Sequence, residues 1–184
     1  MTWTGFRPLV MHNGLLADRS NPYVIAKKPI LAKKTKMNDS DYAQLDRLEW
    51  EGGLYWSDEL GLVIPSDNIE RCIQLGAQKS RIGKDVQAAV FCVEPEYKLE
   101  YNGPKTKDEL YADDRFKLRK GVCVQKARVI RLRPMIPTGW KLAFELEYDD
   151  SVVDAKSIWK AAEDAGALIG LGDWRPKFGR FSVS

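Results

Sequence analysis

The chain has 184 residues, 44% hydrophobic and 30% charged, with 29 basic against 26 acidic side chains and a net charge of +3. That is length for one ordinary domain with a real core, and a charge so near balance excludes a sequence-wide polyanion binder while leaving room for a local basic face. Cys72, Cys92 and Cys123 are odd in number, far apart and without a C-x-x-C pair, which excludes a cysteine-built zinc site and reads as buried thiols of a reducing compartment.

The opening, MTWTGFRPLVMHNGLL, has no basic segment followed by a long apolar run and reads as no signal peptide. No stretch approaches the ~20 apolar residues of a membrane span, so the expectation is cytoplasmic residence with no membrane partner. Residues 4–12 read as a first strand of aromatic and branched side chains. The polar stretch after it, with Lys27, Lys28, Lys33, Lys34 and Lys36, reads as a solvated surface loop. Tyr42, Leu45 and Leu48 predict a helix over 39–51, ended by Gly52 and Gly53. In LGLVIPSDNIERCIQLGAQKSR a strand stops at Pro65 and a helix begins, with Asp67 and Glu70 spaced as a capping box. Ile69, Cys72, Ile73 and Gly76 make its apolar face, and its tail is basic, with Lys79, Arg81 and Lys84. The near-continuous apolar run VQAAVFCV, 86–93, predicts a central strand. Residues 94–120, with Pro95, Asn102-Gly103-Pro104 and two charge clusters, read as an excursion from the core.

Residues 121–133 predict a strand with a basic end of Lys126, Arg128, Arg131 and Arg133, followed by a turn at Pro134, Pro137 and Gly139. Residues 140–148 alternate, with Trp140, Leu142, Phe144, Leu146 and Tyr148 on one face and Lys141, Glu145 and Glu147 on the other. Residues 154–168 predict an amphipathic helix with Ile158, Ala161, Ala162, Ala165 and Leu168 inward, and RFSV closes as a strand. Strand, helix, strand followed by strand, helix, strand is the split β-α-β pattern. The expected fold is therefore α+β, a single domain over 1–184 with a ferredoxin-like (RRM-like) core and two insertions, at about 13–62 and 94–120.

Between the last helix and the last strand stands LGDWRPKFGRF, 171–181. Its glycines follow a helix and precede a strand, the reverse of a dinucleotide fingerprint, and no G-x-x-x-x-G-K-[ST] run exists. Glycine permits positive φ and close backbone approach, arginine offers a planar fork for phosphate, and Trp174 and Phe178 offer stacking faces for a base. The same residue types also describe a glycine-punctuated turn whose Trp174 packs on the core. His12 is the only histidine; a lone histidine at a strand end is ordinarily a surface residue, although metal-independent RNA cleavage uses histidine as general base. No Ser-His-Asp set assembles. Asp113-Asp114, Glu145/Glu147 and Asp149-Asp150 read as exposed faces and turns rather than magnesium sites. Neither a metal nor a cofactor is expected.

Two separated stretches resemble one family. GLGDWRPKFGRF is similar to the glycine-rich loop of the repeat-associated mysterious protein (RAMP) superfamily, ferredoxin-like proteins that form RNA-binding backbones and RNA-processing subunits of CRISPR effector complexes. LVIPSDNIERCI resembles the family's strand-to-helix segment, with Ser66, Ile69 and Arg71 in similar places, although Asp67 and Asn68 stand where glycine and lysine are usual and Asp173 adds an acid to the loop. The compact size also resembles small proteins encoded by bacteriophages. Together with the residue types, the resemblance implies non-catalytic, sequence-tolerant binding of single-stranded RNA or DNA, by several self-associated copies or within a larger ribonucleoprotein complex. Arg175, Lys177, Arg180, Arg128, Arg131, Arg133, Lys79, Arg81 and Lys84 would meet phosphates, and Trp174 or Phe178 would stack. Two alternatives stay open: a protein-interaction module, such as a phage factor engaging a host defence complex, and a metal-independent endoribonuclease using His12.

Overall fold

Alternation and helical periodicity resolve into eleven strands and six α-helices in the computed structural model, which describes residues 1–124 and 127–184, with side chains outside 122–128. In chain order these are β1 (Thr2–Gly5), β2 (Leu9–Val10), α1 (Pro22–Leu31), α2 (Asp39–Gly53), β3 (Trp56–Ser57), β4 (Gly61–Pro65), α3 (Ser66–Ala77), α4 (Gly83–Ala89) and β5 (Val90–Cys92). There follow β6 (Glu96–Glu100), α5 (Lys107–Ala112), β7 (Lys117–Val124), β8 (Ala127–Ile136), β9 (Lys141–Ala143), β10 (Leu146–Tyr148), α6 (Ala155–Asp164) and β11 (Phe181–Val183). The protein is α+β, and the chain divides into two compact units. Unit 1 gathers Met1–Val10, Tyr55–Asn102 and Ile136–Ser184; unit 2 gathers Met11–Leu54 and Gly103–Met135.

Unit 1 is built on a six-stranded sheet in the order β11-β1-β9-β6-β4-β3, with every neighbouring pair antiparallel. Trp3 on β1 stands opposite Val183 on one side and Leu142 on the other, so an indole ring sits between β11 and β9. That ring is fully buried, stacks on Phe181 at 4.0 Å and meets Phe144 edge-on at 4.8 Å. Helices α3 and α6 pack closely because Gly76 has no side chain: a Cβ there would stand 2.1 Å from the Ala161 carbonyl oxygen. A separate two-stranded sheet pairs β5 with β10.

Unit 2 combines α1, α2 and α5 with the antiparallel β7–β8 pair. Trp50 anchors its core, donating from Nε1 to the Phe116 carbonyl at 2.9 Å and meeting Tyr111 edge-on at 5.3 Å. At the start of α2, Asn38 Oδ1 accepts from Asp41 N–H while Asp41 Oδ2 accepts from Asn38 N–H, a reciprocal capping box.

Several elements differ from their sequence expectations. Residues 4–12 are not one strand, because Phe6-Arg7-Pro8 interrupts β1 and β2 and Pro8 has no N–H to donate. Lys27 and Lys28 lie on helix α1 rather than in a loop; Asn21 caps it and Pro22 opens it, while Pro29 disguises it. The capping box at Asp67 and Glu70 is absent: α3 starts at Ser66 after Pro65, and Glu70 instead accepts from the Cys92 N–H at 2.8 Å. The run 86–93 is the end of α4, with Gly83, Val86 and Ala89 buried at helical spacing, followed by β5, where Phe91 is exposed, as is Val93 just beyond it. Residues 96–100 are no excursion but strand β6, with Tyr97 and Leu99 buried. Residues 121–133 span two antiparallel strands, Val124 opposite Ala127, and Lys126 lies outside the described residues. Over 140–148, Trp140, Leu142 and Phe144 are buried and Lys141, Glu145 and Glu147 exposed. The segment nevertheless splits into β9 and β10, and Tyr148 is exposed where β10 pairs with β5. No helix among the described residues is long and apolar enough to cross a membrane.

Candidate nucleic-acid interface

The loop between α6 and β11 is shaped by its glycines. After α6 the chain makes a wide turn over Ala165–Ile169, closed by Gly170 N–H on the Ala165 carbonyl at 2.8 Å. This extra width carries Leu168 outward, 40% exposed, where the sequence periodicity places it inward. Gly170, Gly172 and Gly179 all have positive φ. A Cβ on Gly172 would stand 2.3 Å from the Val10 carbonyl oxygen, and one on Gly179 would stand 1.8 Å from that of Leu171. Close approach is thus to the protein's own backbone. Asp173 N–H donates to Val10 O at 2.8 Å, Gly179 N–H to Pro8 O at 2.7 Å and Leu171 N–H to Gly179 O at 2.8 Å.

The segment 173–178 projects from this closed base. Asp173 Oδ1 accepts from the Trp174 N–H at 2.9 Å, Trp174 has φ +52°, and the Arg175–Pro176 peptide is cis. The Trp174 and Phe178 rings lie 6.3 Å apart, tilted by 52°, both half-buried. Arg175 and Lys177 are exposed, whereas Arg180 is half-buried and donates from Nε to the Pro176 carbonyl at 2.8 Å, bracing the loop. No ion pair among the described residues engages Arg175, Lys177 or Arg180. A shallow groove of about 640 Å³ runs along the loop, with Leu75, Leu168 and Trp174 as apolar walls and Asp173 and Arg175 as polar ones. Beneath it, Cys72 Sγ donates to the Gly170 carbonyl at 3.4 Å; burial pushes this thiol up to about 12, with the Arg175 charge pulling the other way.

No protein-family model matches the chain, and no curated protein matches its sequence.

The other expected contact residues are distributed differently. Lys79, Arg81 and Lys84 are exposed on the turn after α3 and at the start of α4, and they do not line the groove. On unit 2, Arg133 is 9% exposed with Nη1 2.6 Å from Glu49 Oε1, and Arg131 is more open, 3.7 Å from Glu49 Oε2. The burial of Arg133 removes it from the expected phosphate contacts, because its guanidinium is held inside the unit. The Arg128 side chain lies outside the described residues. His12 is exposed at the start of unit 2. Among the described residues no group of three or more His, Cys, Asp or Glu side chains is arranged to hold a metal. Leu75 and Ile169 join the groove lining without being singled out by the sequence; Leu75 sits one residue from Gly76, off the core-facing stripe of α3.

Proposed function

We propose that the chain binds single-stranded nucleic acid, without catalysis and with little regard to sequence, through the projecting segment 173–178. The observation that carries this is the pairing of two exposed cations, Arg175 and Lys177, with an apolar groove walled by Trp174, Leu168 and Leu75. Phosphates are neutralised at the rim and a base rests against the indole, where stacking contributes roughly 1–3 kcal/mol. Arg180 acts as a brace through Pro176 rather than as a contact. The path β1-α3-β6-β9-α6-β11, with strand order β11-β1-β9-β6, supports a ferredoxin-like core to which β4 and β3 are added. The helix, G-x-G, strand context supports kinship with the RAMP superfamily, and assembly of several copies on one strand follows from that kinship.

The test is the double change Arg175→Ala with Lys177→Ala, titrated with single-stranded RNA and DNA at several salt concentrations. The expected result is weaker binding to all sequences alike and a salt slope shallower by about 1.4, at ~0.7 per lost phosphate contact. Unchanged affinity and slope in a folded variant would give the loop a structural role only. A protein-interaction role is the second reading, favoured by Phe91 on β5 and Val93 just after it, 45% and 50% exposed. It predicts capture of a protein partner that Phe91→Ser abolishes and Arg175→Ala does not.

A further inference from the structure

Backbone hydrogen bonds decide which edges of the small β5–β10 sheet in unit 1 are open. Val93 N–H donates to the Glu145 carbonyl at 3.2 Å and Asp149 N–H to that of Ala89 at 3.0 Å, and Phe91 stands opposite Glu147 between them. In an antiparallel ladder such alternate residues spend their polar groups inside the pair, so those of the residues between them point outward. On β5 the outward donors are used. Val90 N–H closes helix α4 on the Val86 carbonyl, and Cys92 N–H goes to Glu70 Oε1 at 2.8 Å. On β10 the outward groups belong to Leu146 and Tyr148, and they find no backbone partner on that side among the described residues. The side chains along this edge alternate. Glu145 and Glu147 share one face with Phe91 and Val93, all four exposed, and neither acid makes an ion pair among the described residues. Leu146 and Tyr148 share the other face with Cys92 and Val90. Edge strands are ordinarily blunted by lysine, proline or a bulge, and β10 carries none of these. Its acids bar one particular guest instead. Two β10 strands paired antiparallel about Leu146, Glu147 or Tyr148 would set Glu145, Glu147 and Asp149 against one another, and like charges directly opposite are destabilising. The edge disfavours a copy of itself and favours a strand with a cation at every second position.

We infer that β10 is a docking edge for an extended segment of another protein in which basic and apolar residues alternate. The incoming strand's backbone pairs with the outward N–H and C=O groups of Leu146 and Tyr148, which supply affinity, while alternate side chains supply specificity. Its cations stand beside Glu145 and Glu147, and its apolar side chains stand beside Leu146 and Tyr148. The inference rests on the protein-interaction reading of the preceding section for the partner's being a protein, and none of its residues belongs to the loop 173–178.

The experiment uses the full chain and a short fluorescent peptide that alternates Lys and Val, with the same residues in block order and a Glu–Val alternation as comparisons. Anisotropy reads binding, and amide hydrogen exchange followed by NMR reads the edge itself. Tyr148→Pro removes one outward N–H while leaving the β5–β10 bonds in place, since proline is tolerated where an edge donor faces solvent. Tyr148→Thr changes the same side chain and keeps the donor, and thermal unfolding checks that both fold. The expected result is that the Lys–Val peptide binds, that both comparison peptides bind about tenfold or more weakly, and that Glu145→Gln and Glu147→Gln each weaken binding by up to about fivefold. Bound peptide should slow exchange of the Leu146 and Tyr148 amides, and Tyr148→Pro should abolish binding where Tyr148→Thr does not. No binding of the Lys–Val peptide, or equal binding of the block-order peptide, overturns the proposal. Unchanged exchange at Leu146 and Tyr148 under saturating peptide also overturns it, and that measurement on the unaltered chain decides if Tyr148→Pro fails to fold. If Phe91→Ser abolishes peptide binding and Tyr148→Pro leaves it intact, the interaction reading stands on Phe91 and the edge falls. If Tyr148→Pro abolishes it and Phe91→Ser does not, the edge stands and the Phe91 prediction falls.

Discussion

Arg180 and Arg175 share one loop but have opposite duties: Arg180 is spent on the Pro176 carbonyl and Arg175 faces outward. The glycines that hold them are just as specific. Gly179 has φ +73° and no space for a Cβ, whereas Gly14 has nothing within 4 Å. Gly179→Ala is therefore expected to destabilise unit 1 by about 1–3 kcal/mol or more, from clash and strain together, and Gly14→Ala to stay within about 0.5 kcal/mol. Urea denaturation of the two variants measures the contrast. The thiols give a second prediction at this scale. Burial lifts Cys72 to about 12, and burial followed by Glu70 and Asp67 lifts Cys92 to about 12. Both are thus almost wholly protonated near neutral pH. Neither should react with a thiol-disulfide reagent at about pH 8 in the native protein, and both should react in denaturant; fast native labelling of Cys72 would contradict its burial.

Helix α3 meets α6 where Gly76 lies against the Ala161 carbonyl and Ala165. Gly76→Val is expected to cost at least the ~1–3 kcal/mol of ordinary overpacking, since the obstacle is backbone, and thermal unfolding reads it. On α2, the Asp41 carboxyl is held below its ordinary 3.8, first by the Lys33 hydrogen bond and then by the Asn38 N–H, with burial opposing. Its contribution is complete above about pH 4 and is lost as pH falls through the lowered folded value; Asp41→Asn should flatten that acid limb, as followed by denaturation between about pH 2 and 6. These elements were unequally legible. The stripe Ile69, Cys72, Ile73 and Gly76 announced α3, and the alternation from Trp140 to Phe144 announced a buried face, because each depends only on local period. Strand β6 was hidden because Pro95 and Asn102-Gly103-Pro104 bracket a five-residue run with turn residues. The end of α4 was hidden because V-Q-A-A-V-F is apolar at either period. The loop's residue types fitted a contact surface and a packed turn alike, and that its glycines approach Val10 and Leu171 is a tertiary fact with no local signature.

For the whole molecule, a net charge of +3 leaves little general attraction for a polyanion. The proposed binding through Arg175 and Lys177 gives an expected slope of log K against log salt of about −1.4 for a single strand. A slope near zero would mean that these cations meet no phosphates, and a much steeper one that further basic side chains join them. The sheet of unit 1 carries one more consequence. Strand β1 is flanked by β9 and β11, and Thr4 accepts from Ser182, 178 positions further along the chain. Gly179 likewise closes the loop onto Pro8. During synthesis the first strand therefore emerges with both edges open and waits for β9 at residues 141–143 to close one and for the last strand to close the other, a slow non-local closure with a long interval in which an unpaired edge is offered to other chains. A ribosome-bound chain stalled before Phe181 would carry the loop's cations without the strand that closes its base, so the proposed binding would arrive late and all at once.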